Sequence, residues 1–218
     1  MRSYREYCSV AKALDVVGDR WALLIVRELA LRGACRYSDL QEGLPGVSTN
    51  LLADRLRELE RADVVARREP RPPVATPVFE LTEHGRKLEP ILRGLMSWGI
   101  RYMVDGPAPD DRFRGRWLTW PAETFLADHA PDAGPGRIEL DAGDERIAVD
   151  VEDGRISVAE PDGTDADARV SGTPHMLLGL LTGHVGIDDA IAAGVRLDGS
   201  QSLLERVLPA PRSEARSA

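Results

Sequence analysis

The sequence predicts an α+β protein of two domains, a mainly helical first half and a second half in which strands precede helices. Apolar residues recur three or four positions apart through most of residues 7–61 and again over 83–103. They alternate with polar residues from 138 to 158, and the Pro/Asp stretch DGPAPDD lies between the halves. We expect domains at 1–104 and 113–210, a linker at 105–112, and a disordered tail at 211–218.

Composition indicates a globular protein of the cytoplasm. Of the 218 residues, 43% are hydrophobic and 29% charged. The longest apolar run, Trp21 to Val26, is too short to cross a bilayer, and the N-terminal MRSYREYCSV lacks the apolar block of a signal peptide. We therefore expect no membrane partner. The two cysteines, Cys8 and Cys35, do not make a disulfide framework.

The net charge of −8 is distributed unevenly along the chain. Residues 1–104 hold 17 Arg/Lys against 14 Asp/Glu, a net charge of +3, whereas residues 105–218 hold 11 against 22, a net charge of −11. Because an acidic surface repels phosphate, any nucleic-acid contact belongs to the first half.

The chain opens with two predicted helices. Residues 7–17 form a short amphipathic helix, with Val10, Leu14 and Val17 on one side, that ends at Gly18. Asp19 caps the second helix, which stops at Gly33. The side chains that we expect the second helix to bury are Trp21, Leu24, Ile25 and Leu29.

The stretch RYSDLQEGLPGVSTNLLADRLRELE, residues 36–60, predicts two short helices joined by a tight turn at Pro45-Gly46. Ser48 is a good N-cap for the second of them. That helix has one apolar side (Leu52, Leu56, Leu59) and one polar or cationic side (Thr49, Asn50, Arg55, Arg57). First-turn side chains of such a helix can reach base edges in the DNA major groove. An ordinary αα-hairpin in a helical core is the alternative.

Two short strands, Val64 to Arg68 and Val78 to Leu81, are predicted on either side of the Pro-rich EPRPPVATP. Arg67, Arg68 and Arg71 lie at or beside the tip of this hairpin. A basic hairpin after a recognition-type helix indicates a winged helix-turn-helix, in which the wing arginines bind phosphate. A solvated hairpin is the alternative, and we favour the wing.

A last long helix is predicted from Glu83 to about Met103, capped by Thr82. So small a domain offers this helix little core of its own, so we expect it to pair with a second copy and form a homodimer. Packing on the second half of the same chain is the alternative, and both arrangements can contribute. Its apolar stripe consists of Leu88, Ile91, Leu92, Leu95, Trp98 and Met103.

The second half predicts one sheet with helices on one face. A short helix at 121–130 precedes strands marked by Ile138/Leu140, by Ile147/Val149/Val151 and by Ile156/Val158, with an Asp153-Gly154 hairpin turn between the last two. A fourth strand at 166–170 follows, then helices at 174–182 and 188–193, a short strand at 195–197 and a closing helix at 200–208.

The motifs YCSVAKALDVVGDRWALLIVRELALRG, RYSDLQEGLPGVSTNLLADRLRELE, VVARRE and FELTEHGRKL resemble the HxlR family of bacterial transcriptional regulators over about residues 7–103. The resemblance implies a dimeric winged-helix DNA binder, often a repressor and sometimes an activator. It also implies a recognition helix at 47–57 and a wing at 67–76. The residues we expect at the duplex are Arg36, Ser48, Thr49, Asn50, Arg55, Arg57, Arg67, Arg68 and Arg71.

Two positions depart from the family pattern. Asp63 stands where relatives usually have the glycine that ends the recognition helix, and it can still adopt a left-handed conformation at modest cost. Ser9 replaces the proline that commonly follows the N-terminal cysteine. In some relatives the cysteine at the Cys8 position senses oxidants or electrophiles. Sensing requires exposure and a lowered pKa, and we expect a structural cysteine instead, with a redox switch as the alternative.

Residues 165–208, DADARVSGTPHMLLGLLTGHVGIDDAIAAGVRLDGSQSLLERVL, resemble the sterol-carrier-protein fold. The resemblance implies an apolar cavity between sheet and helices that holds a lipid or another hydrophobic molecule. A residue of the kind that could line this cavity is, taken singly, more often an ordinary core residue than a ligand contact. The candidate lining residues are Trp117, Trp120, Phe125, Met176, Leu177, Leu180 and Leu181.

The sequence lacks the motifs of the common enzyme classes. Its four histidines have no zinc-site spacing, and it has no Gly-rich phosphate loop and no Gly-x-Ser-x-Gly elbow. We therefore expect no enzyme activity and no cofactor. The favoured hypothesis is a dimeric DNA-binding regulator that a hydrophobic ligand controls. The alternative is a lipid or metabolite carrier whose first half serves only for dimerisation.

Overall fold

A computed structural model describes residues 3–69, 76–103 and 106–211. It divides the chain into two compact units, Met1–Leu95 and Met96–Ala218. Four of the sequence expectations lie at least partly outside the described residues. They are the Pro-rich hairpin tip at 70–75, the wing residue Arg71 within it, residue 105 of the expected linker, and all but residue 211 of the expected tail.

The first unit is a small helical domain with a three-stranded sheet. Its sheet is antiparallel and has the order β1-β3-β2. The two-residue β1 was not expected, because so short a strand leaves no alternation in the sequence. The elements are α1 (Ser9–Val17), α2 (Ala22–Arg32), β1 (Cys35–Arg36), α3 (Tyr37–Gly43), α4 (Thr49–Arg61), β2 (Val65–Arg68), β3 (Val78–Leu81), α5 (Glu83–Arg86) and the first part of α6 (Glu89–Gly99), which continues past Leu95 into the second unit.

The first two helices bury less of their apolar surface than the sequence pattern suggested. In α1, Ala11 and Val17 are buried, whereas Val10 and Leu14 are exposed. In α2, Ile25 and Leu29 are buried as expected, but Trp21 and Leu24 are only partly covered. The apolar face of α1 therefore finds no complete partner within the described chain.

The helix-turn-helix forms as the sequence predicts. Leu40 and Leu44 of the α3 region are buried, and α4 begins where the Ser48 hydroxyl accepts a hydrogen bond from the Leu51 N–H. Asp63 has a φ of 56°, which confirms the left-handed conformation expected at the end of α4.

The helix predicted from Glu83 to Met103 is wrong as a single element. The structure breaks it into α5, α6 and a 3-10 turn at Ile100–Met103. Pro90 explains the first break, because proline has no N–H to continue the hydrogen-bond ladder and is tolerated only in a helix's first turn. The cap on α5 is confirmed, since Thr82 Oγ1 accepts from the Gly85 N–H at 2.9 Å.

The second unit is a five-stranded sheet with helices, which confirms the α+β expectation. The order is β6-β5-β4-β7-β8, with β4 and β7 parallel and the other neighbours antiparallel. The helix expected at 121–130 ends earlier, at Phe125. The elements are α7 (Thr119–Phe125), β4 (Gly136–Asp141), β5 (Arg146–Glu152), β6 (Arg155–Ala159), β7 (Ala168–Ser171), α8 (Pro174–Leu181), α9 (Ile187–Ala192), β8 (Arg196–Gly199) and α10 (Gln201–Val207), with 3-10 turns at Gly115–Leu118 and Pro131–Ala133.

One face of the sheet, called here the inner face, packs against the helices. Ile138, Val149 and Val170 contribute to this core from three strands, and Leu177 and Leu204 contribute from α8 and α10. The residues between them along each strand point to the opposite, outer face, since side chains alternate along a strand. That outer face is charged, with Arg137, Glu139, Arg146, Asp150, Arg169 and Asp198 on it.

Candidate nucleic-acid interface

Helix α4 presents a polar surface near its N-terminus. Leu52, Leu56 and Leu59 anchor its other side in the core. Thr49 and Asn50 are exposed in the first turn. The Tyr37 hydroxyl of α3 donates to the Thr49 carbonyl oxygen at 2.5 Å, so the two helices are fixed to each other where α4 starts. Exposed first-turn side chains on an anchored helix are suited to base edges in a major groove.

Arg55 does not belong to this exposed set. Its Nε lies 3.0 Å from Asp19 Oδ1, and its Nη1 contacts the Glu58 carboxylate. Its side chain is only 21% exposed. Arg55 therefore holds α4 against the turn that precedes α2, and the expectation of a DNA contact at this position is corrected to a positioning role. The spacing of Arg55 and Glu58, three residues apart on a helix, was the signal that could have found it.

The other predicted cations remain accessible. Arg57 is exposed and pairs with Asp54 at 2.8 Å, one turn back on α4. Arg36 is exposed at the N-cap of α3, where its N–H donates to Asp39 Oδ2 at 2.9 Å. An exposed ion pair contributes little to stability, so Arg57 can exchange its carboxylate for a phosphate at small cost.

The hairpin carries its arginines on the described part of β2. Arg67 lies 3.1 Å from Glu69, and Arg68 donates to Glu80 on β3 at 2.6 Å. Both guanidinium groups are exposed. Within the described residues, both therefore remain accessible while paired with carboxylates of the hairpin. The structure brings the helix and the hairpin into one domain, as a winged helix-turn-helix requires.

Comparison with known proteins gives two family matches. Residues 16–106 match the HxlR-like helix-turn-helix family, and residues 132–207 match the SCP-2 sterol transfer family. The HTH-type transcriptional regulator YvaP of Bacillus subtilis is 39% identical over 93 residues, which are 42% of this chain and 84% of that protein. The chain belongs to the HxlR-like helix-turn-helix family.

A second HxlR-like relative is the HTH-type transcriptional regulator YodB of the same organism, 33% identical over 95 residues, which are 43% of this chain and 83% of that protein. The solved structure of the reduced form of YodB is 31% identical, covers 47% of this chain and 100% of that one, and superposes with a TM-score of 0.40. These matches are confined to the first half. The HxlR-like chain described here continues into an SCP-2-like region over residues 132–207.

The HxlR-like unit and the helix that follows it expose two apolar surfaces. Val10 and Leu14 on α1, and Tyr7 just before it, are exposed. On α6, Ile91 is 59% exposed and Trp98 is 60% exposed, and Leu95 lies between them. Five residues were predicted to lie at the dimer interface, and two of them are covered within the chain itself: Leu92 is buried and Leu88 is partly buried. Of these five, Ile91, Leu95 and Trp98 are exposed and can meet another surface.

Cys8 lies at the N-cap of α1 and is exposed. The nearby backbone N–H groups of Ala11 and Val10, at the start of the helix, lower the pKa of its thiol. The expectation of a structural cysteine is therefore wrong for Cys8, since a thiol at a helix start is reached by its free N–H groups. Cys35, in contrast, is buried, and its thiol points at the Gly33 carbonyl oxygen.

The predicted ligand-lining residues divide into two groups in the second unit. Leu177, Leu180 and Leu181 are buried in the core, and Met176 packs against it. Trp120 is buried, whereas Trp117 and Phe125 are partly covered, and Trp117 stacks edge-on with Phe113 at 5.8 Å. The leucines of α8 thus pack directly between the helix and the sheet.

Two cavities lie away from these predicted ligand-lining residues. One, of about 550 Å³, lies beside α1 and is lined by Tyr4, Asp15 and Arg55 among others. The other, of about 450 Å³, lies on the outer face of the sheet. Within the described ranges no three His, Cys, Asp or Glu side chains are grouped to hold a metal. In the same part of the chain no helix has the length and apolarity that crossing a bilayer requires.

Proposed function

We propose that this chain binds operator DNA as a homodimer and represses transcription. The observation that supports the proposal is the combination, in one net-cationic half of the chain, of the Ser48-capped α4 and the exposed arginines of the hairpin. Thr49, Asn50 and Arg57 read and bind the major groove, and the wing arginines bind the flanking backbone. Arg36, at the start of α3, is placed as a further phosphate ligand.

The dimer follows from the exposed apolar surfaces. Ile91, Leu95 and Trp98 follow one another at spacings of three and four, so they share one side of α6. Covering this side with the same helix of a second copy removes it from water. A two-fold dimer places two copies of α4 on successive major-groove faces, and its operator is a palindrome. Leu95→Glu should therefore give a monomer in sedimentation velocity and lose operator binding.

The test of DNA binding begins with selection of bound sequences from random duplexes by the full chain. The recovered site then serves in fluorescence anisotropy at several salt concentrations. Replacing Arg67 and Arg68 together by alanine should lower affinity about tenfold or more and reduce the dependence on salt, because each released phosphate contact lowers that slope by about one. Unchanged affinity would exclude the wing from the interface.

Arg155→Ala is the matched control for the wing variant. Arg155 is an exposed arginine on β6 of the acidic unit, where a DNA contact is not expected. Its removal should leave the affinity and its salt dependence unchanged. Transcription in vitro from a promoter that contains the selected site then separates a repressor from an activator.

We further propose that the second domain responds to a hydrophobic molecule. The SCP-2 sterol transfer match over residues 132–207 supports this proposal. The leucines of α8 fill the space beneath the sheet, so a ligand there must displace or separate packed side chains. Such a ligand alters DNA binding only if it favours one arrangement of the dimer over another.

Mass spectrometry of the native purified protein would reveal a lipid retained at that position. A retained lipid together with equal affinity for the selected site and its scrambled version would favour the carrier alternative, in which the first half serves only for dimerisation. If the protein prefers its operator but no retained or added lipid changes its affinity for that DNA, the second domain does not have the proposed role.

A further inference from the structure

The cavity on the outer face of the sheet lies opposite the helices. In the order β6-β5-β4-β7, the connection from β6 to β7 must pass β5 and β4. Pro161, Gly163, Thr164 and Asp165 of that connection line the cavity together with side chains of the three strands beneath. This outer-face cavity has a volume of about 450 Å³, and its lining includes Glu139, Arg146, Gly163, Thr164, Asp165 and Arg169.

Two guanidinium groups converge at the floor of this cavity. Glu139 on the central strand β4 is only 4% exposed. Its Oε2 accepts from Arg169 Nε of the neighbouring β7 at 2.8 Å, with Arg169 Nη2 also at 2.8 Å. Arg146 Nη1, from β5 on the other side, lies 3.5 Å from the same oxygen. Two positive charges thus share the Glu139 carboxylate, with Asp141 near Arg146 and Asp165 in the lining as the other acidic groups.

Both arginines face the cavity with unused donors. Arg146 is 51% exposed and Arg169 is 47% exposed. The oxygens that Arg146 faces, on Glu139 and Asp141, lie at 3.5 and 3.8 Å, beyond the range of a good hydrogen bond. The guanidinium fork of Arg146 is therefore open to an incoming acceptor, while Glu139 fixes the position of Arg169.

The lining selects the chemistry of a ligand. Guanidinium groups bind the planar or tetrahedral oxygens of carboxylates and phosphates through paired hydrogen bonds. The Thr164 hydroxyl adds a further donor or acceptor at the wall. Charged walls disfavour an apolar molecule, because its burial there would desolvate them without compensation. Asp165, also in the lining, disfavours a large anion of high charge, because its carboxylate repels further negative charge.

We propose that the outer-face cavity binds a small oxyanion, a carboxylate or a phosphate, between Arg146 and Arg169. The residues of this site belong neither to the apolar core of the second unit nor to the DNA-binding half of the chain. The site is therefore independent of whether the core admits a lipid.

Titration of the full, isotope-labelled chain followed by amide NMR tests the proposal. Sodium acetate and sodium phosphate are the two probes, and sodium chloride at matched ionic strength is the reference. Either probe should shift the Gly163 and Thr164 amides and the Arg169 side-chain Nε–H in a saturable manner. The probe that saturates first identifies the class of oxyanion. An anion that binds the basic half of the chain shifts the signals of other residues, and those shifts are not evidence for this site.

Arg146→Gln should weaken the saturable binding at least about tenfold, the effect of losing a charged hydrogen-bond donor. Arg146→Lys retains the positive charge but not the forked pair of donors, so its affinity for the anion should lie between those of the unaltered chain and the Arg146→Gln variant. Arg155→Gln on β6 is the matched control, and it should bind as the unaltered chain does. Shifts that fail to saturate, that sodium chloride reproduces, or that survive Arg146→Gln would overturn the proposal.

Discussion

Arg55 on the recognition helix lies with its Nε 3.0 Å from Asp19 Oδ1, in the turn that precedes α2. The same guanidinium contacts Glu58 on α4 itself. The helix that carries the proposed DNA-reading residues is therefore tied to the N-terminal helices by an ion pair as well as by its buried leucines. Arg57, two residues along, has no such tie and points to solvent.

Arg55→Ala should consequently affect mainly the stability of the domain, and Arg57→Ala mainly its affinity for DNA. Loss of Arg55 removes a partly buried ion pair and should lower the free energy of unfolding by about 1 kcal/mol. Loss of Arg57 should leave stability within about 0.5 kcal/mol and weaken operator binding about tenfold. Urea denaturation and fluorescence anisotropy on the same two variants separate the roles. An Arg57 variant with full affinity would exclude Arg57 from the interface.

Asp63→Gly should stabilise the first domain by about 1 kcal/mol, because glycine adopts a left-handed conformation without the clash that a Cβ causes. Asp63 follows the end of α4 with a φ of 56°, and the Val64 N–H closes the helix on the Leu59 carbonyl oxygen at 2.9 Å. Asp63→Ala is the control and should not stabilise. Thermal unfolding compares the three chains, and equal midpoints for all of them would show that this turn stores no strain.

Cys8 should react with iodoacetamide far faster than Cys35. The backbone N–H groups of Ala11 and Val10 lower the pKa of the exposed Cys8 thiol, so its thiolate forms at a lower pH than that of a free thiol. Mass spectrometry after timed alkylation at several pH values measures both sites. Cys35 is the internal control, because it should react only on unfolding. Equal rates in the native protein would contradict the placement of Cys8.

The second domain should lose stability in acid through Asp128. Arg206 donates to both carboxylate oxygens, from Nε at 2.6 Å and from Nη2 at 2.7 Å. These hydrogen bonds lower the pKa of Asp128 from 3.8 to about 2. A carboxyl group whose pKa is lowered on folding stabilises fully above its unfolded value, and this contribution disappears as the pH falls through the folded value.

Asp128→Asn should therefore lower the melting temperature by several degrees at pH 6 and have little effect near pH 2. Thermal unfolding followed by circular dichroism between pH 2 and 6 gives the comparison. Asp132→Asn, at an exposed carboxylate in the following 3-10 turn, is the control and should leave the pH dependence unchanged. A constant difference between the Asp128→Asn variant and the parent chain across this range would contradict the linkage.

Much of the fold could be predicted because its signals are local. The Ser48 cap, the leucine spacing of α4 and the Asp153-Gly154 turn each depend on a few adjacent residues. The prediction of a single helix across Pro90 was wrong because the spacing of apolar residues does not register the backbone N–H that proline lacks. The residues of the candidate interface lie in one domain as the sequence suggested, whereas the ion pair of Arg55 with Asp19 was not expected, since the two residues are distant in sequence.

By itself, the sequence determined the two-domain α+β organisation, the helix-turn-helix with its hairpin, and the separation of charge between the halves. Periodicity, caps and turn residues act over a few positions and can be read along the chain. Only the tertiary structure decided that Arg55 pairs with Asp19, that Cys8 is exposed, and that Arg146 and Arg169 converge on Glu139. These relationships join residues from different elements, and their distances follow from packing, which no local pattern records.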